Sequence, residues 1–275
     1  MVGGGVLADH QPGGDLAVAQ ALPQQAEHVG LARRQAVRPL GGHPHHIALF
    51  GLAGLDVFVD DHDFALYTNL LRKSCAEQRV ALHAYALLPD RVLLLATPPD
   101  EASLSRLMQS LGRQYVAAYN RRHGRAGTLW QGRFRAAPVE ASTQLIHCMR
   151  HVEQAPVRAG RVSSAAAYAW SSAAHHVGAL APSEARPAAL VSAALTDHPV
   201  YWRLGNTPFE REAAYGRLLA EPLGAELTSR IEAAVQRGWA LGSGEFLASV
   251  SSTTSRPLAP RPRGRPKKAM VSPLG

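Results

Sequence analysis

Val80-Ala81-Leu82-His83-Ala84-Tyr85-Ala86-Leu87-Leu88-Pro89-Asp90-Arg91-Val92-Leu93-Leu94-Leu95-Ala96-Thr97 is the stretch that decides the fold. Two apolar runs of strand length, residues 80–87 and 92–97, flank Leu88-Pro89-Asp90-Arg91. Proline presets the backbone of a turn and aspartate supports the bend with its side chain, so the stretch reads as a β-hairpin. Upstream, Asp60 and Asp61 can cap a helix in which Phe64, Tyr67, Leu70, Leu71 and Cys75 fall at helical spacing. Before that helix, residues 46–52 form a short apolar run, read as the first strand. Downstream, a helix begins after Pro98-Pro99-Asp100, with Leu104, Leu107, Leu111 and Tyr115 as its buried stripe. A glycine-rich connection leads to a strand near residues 133–139. Ser142 is expected to cap a third helix, which should stop before Pro156 because proline disfavours helical geometry in the residue ahead of it.

The order strand, helix, strand, strand, helix, strand predicts an α+β chain with a ferredoxin-like sandwich, an antiparallel sheet with helices on one face. A small helical region and a disordered basic tail follow. The expected boundaries are a disordered extension at 1–34, the sandwich at 35–178, an Ala/Pro-rich linker at 179–200, the helical region at 201–250 and the tail at 251–275. Within the helical region Thr207-Pro208-Phe209-Glu210 is a capping box with proline in the first turn. A helix over 225–237 should close at Gly238, and Ser243 should cap a short last helix carrying Phe246.

A chain of 275 residues is long enough for one or two domains with proper cores. Its formal charge of +8 favours polyanionic partners. No apolar run approaches the roughly 18–20 residues of a membrane span, which removes a spanning role. Cys75 and Cys148 cannot make a disulfide framework and suggest a reducing, cytoplasmic setting. The first 32 residues carry no Lys or Arg and no compact apolar block, so they fit neither a secretory signal nor a transit peptide.

The charge is unevenly spread. Between Ala102 and Arg135 there is no acidic side chain, yet there are seven arginines: Arg106, Arg113, Arg121, Arg122, Arg125, Arg133 and Arg135. Asn120 and Trp130 are interleaved with them. Guanidinium forks match phosphate oxygens and an aromatic face can take an unstacked base, so these nine residues form the candidate DNA surface. In the tail, Arg261-Pro262-Arg263-Gly264-Arg265-Pro266-Lys267-Lys268 resembles an AT-hook. Gly264 lets the backbone lie on the groove floor, Arg263 and Arg265 point along a narrow A·T minor groove, and Lys267 and Lys268 add charge. The region 207–250 holds four arginines against six glutamates, a poor surface for a duplex and better read as a supporting lobe.

Several blocks together resemble the REP-associated tyrosine transposases, a bacterial single-tyrosine family. They are Pro44-His45-His46-Ile47, His83-Ala84-Tyr85-Ala86-Leu87-Leu88-Pro89-Asp90, Leu104-Ser105-Arg106-Leu107-Met108-Gln109-Ser110, Tyr119-Asn120-Arg121-Arg122, Gly127-Thr128-Leu129-Trp130-Gln131-Gly132-Arg133, Pro156-Val157-Arg158-Ala159-Gly160 and Trp170-Ser171-Ser172. The resemblance covers about residues 35–178 and continues through Arg237-Gly238-Trp239-Ala240-Leu241-Gly242-Ser243. It implies a ferredoxin-like catalytic domain acting on single-stranded DNA that bears short palindromic hairpins. It also implies a histidine–hydrophobic–histidine pair holding Mg or Mn, a tyrosine nucleophile on a later helix, and a polar residue one turn beyond the tyrosine that assists the metal.

Each of those positions departs from the pattern. Where the histidine pair should stand the chain reads Arg91-Val92-Leu93, the tyrosine position is His151, and the metal-assisting position is Ala155. A guanidinium repels a cation and an alkyl group cannot ligate one. The expectation is therefore a DNA-binding family member with no intact catalytic set and no cofactor, whose partners are hairpin or single-stranded DNA and A·T-rich duplex, and not a membrane. His147 and His151, one helical turn apart, are the weak metal candidates. The alternatives are an active transposase using substituted residues, with His151 as nucleophile, and a module whose tail binds RNA or acidic proteins.

Overall fold

The computed structural model describes residues 39–179 and 195–253. The extension at 1–34, most of the linker and the AT-hook-like tail lie outside the described residues.

The hairpin forms as expected: β2 (Ala81–Leu88) and β3 (Arg91–Thr97) pair antiparallel from Ala81↔Thr97 to Leu88↔Arg91. β1 (His45–Phe50) pairs antiparallel with β3 on one side and with β4 (Arg135–Pro138) on the other, giving the order β2-β3-β1-β4. That is the ferredoxin-like arrangement, with α1 (Asp61–Gln78) and α2 (Ser103–Arg122) as the crossovers. Asp60 caps α1, its carboxylate accepting from the amides of His62 and Asp63. Asp100 does the same for α2 through Ala102 and Ser103.

Strand side chains alternate between the two faces. Ile47, Leu49, Tyr85, Leu87, Val92 and Leu94 meet α1 and α2 on the first face. This half of the core is aromatic: Phe58 stacks on Phe64 at 4.6 Å, and Phe64 on Trp170 at 5.0 Å. Buried Tyr115 and Tyr119 donate to the carbonyls of Val57 and Asp56, which satisfies their hydroxyls.

The crossover helices occupy one face, and the opposite face is covered as well. Ala48, Ala84, Ala86, Leu88, Leu93, Leu95 and Ala137 pack there against α3 (Ala141–Glu153) and α8 (Ala225–Arg237). Between these two helices in sequence come α4 (Ala155–Arg158), α5 (Ala173–His176), α6 (Pro199–Trp202) and α7 (Pro208–Ala220). The last helix, α9 (Gly244–Thr253), places Val250 in a small cluster with Leu40 and Ala240. The helical region thus belongs to the core of the sheet's second side.

Three termini follow the local chemistry read from the sequence. The Thr207–Glu210 capping box is formed, Gly238 closes α8 at φ 69°, and the Ser243 hydroxyl accepts from the Phe246 amide. Ser142 is the exception, because α3 starts at Ala141 after Glu140 with no side-chain cap. The Glu140 carboxylate bonds instead to Thr143 and to both the amide and hydroxyl of Ser243, tying α3 to the start of α9. Among the described residues no helix is long and apolar enough to cross a membrane.

Candidate functional site

Register decides what gathers on the second face. His46 stands opposite Leu95 and Ala137, Ala48 opposite Leu93, and Phe50 opposite Arg91. A cavity of about 520 Å³ opens over these positions, walled by the sheet, α3, α4 and α8. Alanine at 48 leaves the space that a larger side chain would fill.

Arg91, Leu93, His151 and Ala155 all line this cavity. Four positions selected from three separate segments therefore converge on one place. His46, Arg158 and Glu232 join them. His46 and Arg158 fall in stretches that carry the family resemblance but receive no role at the site from it, and Glu232 sits on a helix whose charge looks merely supportive.

The cavity's histidines are neutral for a physical reason. His46 is fully buried, and desolvation with the nearby Arg158 charge lowers its pKa to about 3. Burial, His46 and Arg158 likewise hold His151 well below the ordinary histidine value. The rings meet edge to face at 5.1 Å, and all four ring nitrogens are buried without a hydrogen-bond partner. Glu232 Oε1 stands 3.7 Å from His151 Nε2, beyond hydrogen-bond reach. Arg158 donates to the His151 carbonyl at 2.6 Å. Arg91 is held by a two-point ion pair with Asp90, whose carboxyl it keeps below the usual range.

Arg91, Leu93 and Ala155 supply no ligand atom for a metal, and among the described residues His46, His151 and Glu232 are not gathered into a metal-ligating group. His147 gives no help: its pKa is lowered by burial and by Arg150 and Arg230, and it makes no metal-ligating group with His151 among the described residues.

The arginine-rich segment divides sharply by partner. Arg106 pairs with Asp100 and Gln78. Arg122 pairs with Asp60 and with fully buried Asp63, and its hydrogen bonds lower the Asp60 pKa to about 2. These two arginines hold α2 against α1. Asn120 closes the following loop by donating to the Gly127 carbonyl, and Gly127 adopts the required positive φ of 89°. Trp130 is only 7% exposed and packs against Tyr67 and Tyr115, so neither face is open to a base. Among the described residues Arg113, Arg121, Arg125, Arg133 and Arg135 have no carboxylate within 4.0 Å, and the first four are exposed at residue level or nearly so.

This loop is clipped to the mouth of the cavity. Gln131 N–H donates to the Phe50 carbonyl at 2.8 Å, and Leu52 N–H to the Leu129 carbonyl at 2.9 Å. Phe50 lines the cavity, with the Arg135 and Arg91 guanidiniums 5.4 and 5.8 Å from its ring centre. Arg135, which has no carboxylate partner among the described residues, and the cavity therefore share the end of the sheet marked by Phe50.

No protein-family model matches the chain, and no curated protein matches it. Among solved structures, one described as "Structure of the REP associates tyrosine transposase bound to a REP hairpin" is similar over 55% of this chain and 87% of its own, at 17% identity and a TM-score of 0.42. A similarity that low assigns no chemistry to this chain.

Proposed function

We propose that the chain is a DNA-binding protein of the REP-associated tyrosine transposase type that holds hairpin or single-stranded DNA without cutting it. The observation that carries this reading is the split among the arginines. Arg106 and Arg122 are consumed by structural ion pairs, while among the described residues Arg113, Arg121, Arg125, Arg133 and Arg135 have no carboxylate partner, and Arg135 lies over Phe50. Guanidiniums left without acidic partners are suited to phosphate oxygens. Trp130 and Asn120 support that surface from within and do not reach DNA. Arg263, Gly264, Arg265, Lys267 and Lys268 of the tail are assigned to A·T-rich duplex.

Silence of the chemistry rests on the cavity, where a guanidinium, an isobutyl group, an imidazole and a methyl group replace the expected set. Full-length protein at low salt should shift a hairpin oligonucleotide and leave it uncut with magnesium or manganese. Absence of a shift contradicts the binding, and nicking contradicts the silence. One observation favours a second reading: His151 is a neutral imidazole with unpartnered nitrogens in a cavity that also holds two guanidiniums. Nicking that is abolished by His151→Ala would establish His151 as a nucleophile in place of tyrosine.

A further inference from the structure

On the far side of α3 from the cavity, Glu153 is a fully buried carboxylate. It accepts from the Ser172 hydroxyl at 2.5 Å, the Tyr215 hydroxyl at 2.7 Å and His176 Nδ1 at 2.6 Å. A carboxylate can only accept, so Nδ1 donates to Glu153 and Nε2 is the ring nitrogen left to meet another group.

Near that nitrogen is another carboxylate. The chain at 195–197 lies beside β2, where Thr196 N–H donates to the Leu82 carbonyl and the Thr196 carbonyl accepts from His83 Nδ1. This docking sets Asp197 Oδ1 3.9 Å from His176 Nε2 and 3.7 Å from His175 Nε2. Each separation is too long for a hydrogen bond. His176 Nε2 and Asp197 Oδ1 are buried atoms with no hydrogen-bond partner, and His176 is 1% exposed. A cation placed between them would give both atoms a partner.

We propose that His175, His176 and Asp197 form a binding site for a borderline divalent cation of the zinc class, with Glu153 orienting His176 from behind. Their ligand atoms all lie within 4.8 Å of one another. Ligands at about 2.0–2.1 Å from a tetrahedral ion stand roughly 3.3–3.5 Å apart, so the two measured edges need to contract by only a few tenths of an ångström. Carboxylate behind histidine in front of metal is the usual supporting arrangement for such a ligand. Two imidazoles and one carboxylate select zinc, cobalt or nickel over magnesium or calcium. His175 and Asp197 are each 29% exposed in their side chains, which leaves the fourth position to solvent. The ion would pin the segment before α6 against α5 and β2.

A second histidine–carboxylate cluster, Asp60, His62 and Asp63, makes a useful contrast. There the carboxylates already have partners: Arg122 bonds to both aspartates, and His123 Nε2 stands 3.0 Å from Asp63. The zinc site is also independent of the DNA reading, since it shares no residue with the arginine surface or the cavity.

The test uses untagged full-length protein stripped with a chelator and dialysed. Zinc competition against a chromophoric chelator should give one equivalent bound at micromolar affinity or tighter. Cobalt should give the absorption bands of a four-coordinate site, and zinc should raise the melting temperature. Asp197→Asn keeps the shape of the side chain and should weaken zinc at least tenfold, while the metal-free protein melts within a degree or two of the parent. His175→Ala, at a partly exposed position, should act likewise and guards against a folding defect in any one variant. Failure of the parent to bind a stoichiometric equivalent, or equal affinity in Asp197→Asn and His175→Ala, would overturn the site.

Discussion

The two faces of the sheet are built on opposite plans. The α1–α2 face is filled with rings, from Phe58 and Phe64 through Tyr67, Tyr85 and Tyr115 to Trp130 and Trp170. The other face is laid with alanine at 48, 84, 86 and 137 and holds a cavity of about 520 Å³ containing two unsatisfied histidines. Close packing of the first kind gives rigidity, since protein interiors tolerate few voids. The second kind gives up packing and keeps polar groups out of water at a cost. A face that does so is the candidate for function, and the loop bearing Arg125 and Arg133 is fastened to Phe50 and Leu52 beside it.

The largest effect should come from breaking the filled face. Trp130→Ala should lower stability by about 3–5 kcal/mol, measured by urea denaturation, since the indole is buried among Tyr67 and Tyr115. A loss below about 1 kcal/mol would mean that the indole is a surface group after all.

Acid should act next, and on the other face. His46, facing His151 and Arg158, is kept neutral in the fold with a pKa of about 3. Below pH 6.5 the unfolded chain gains a proton that the folded one refuses, so stability present above pH 6.5 is lost as pH falls toward 3. Each such histidine adds a slope of about 1.4 kcal/mol per pH unit. His46→Leu should flatten the stability–pH curve between pH 6 and 4 relative to the parent, and an unchanged slope would show that His46 is hydrated.

Smaller still is the effect of adding volume where the sheet leaves room. Ala48→Leu projects into the cavity and should change stability by less than about 1 kcal/mol, whereas enlarging a filled site costs about 1–3 kcal/mol. A large loss at 48 would mean that the space closes in solution. The smallest effect on folding belongs to the arginines: Arg121→Ala, Arg125→Ala and Arg133→Ala should each stay within about 0.5 kcal/mol of the parent.

Much of the fold was legible because its signals are local. Hairpin chemistry at Pro89-Asp90, helical spacing in α1 and α2, and the caps at Asp60 and Thr207 act within a few residues of themselves. The cavity was half legible: family spacing pointed to Arg91, Leu93, His151 and Ala155, and the structure brings these four together. His46, Arg158 and Glu232 were hidden because their meeting depends on strand register and on α8 returning across the sheet. At Trp130, Asn120 and Arg122, residue types suited to nucleic acid are engaged in packing, loop closure and an ion pair. Local charge counts do not see a carboxylate contributed from 59 residues away, as Asp63 is to Arg122.

The central claim is that the arginines without carboxylate partners hold DNA phosphates. Its most direct test is the salt dependence of hairpin binding by full-length protein and by the Arg121→Ala/Arg125→Ala/Arg133→Ala variant. Each lost phosphate contact reduces the slope of log affinity against log salt by about 0.7–0.9. The account predicts a slope smaller by about 2–3 and an affinity at least tenfold weaker at low salt. Identical slopes and affinities for the two proteins would contradict it.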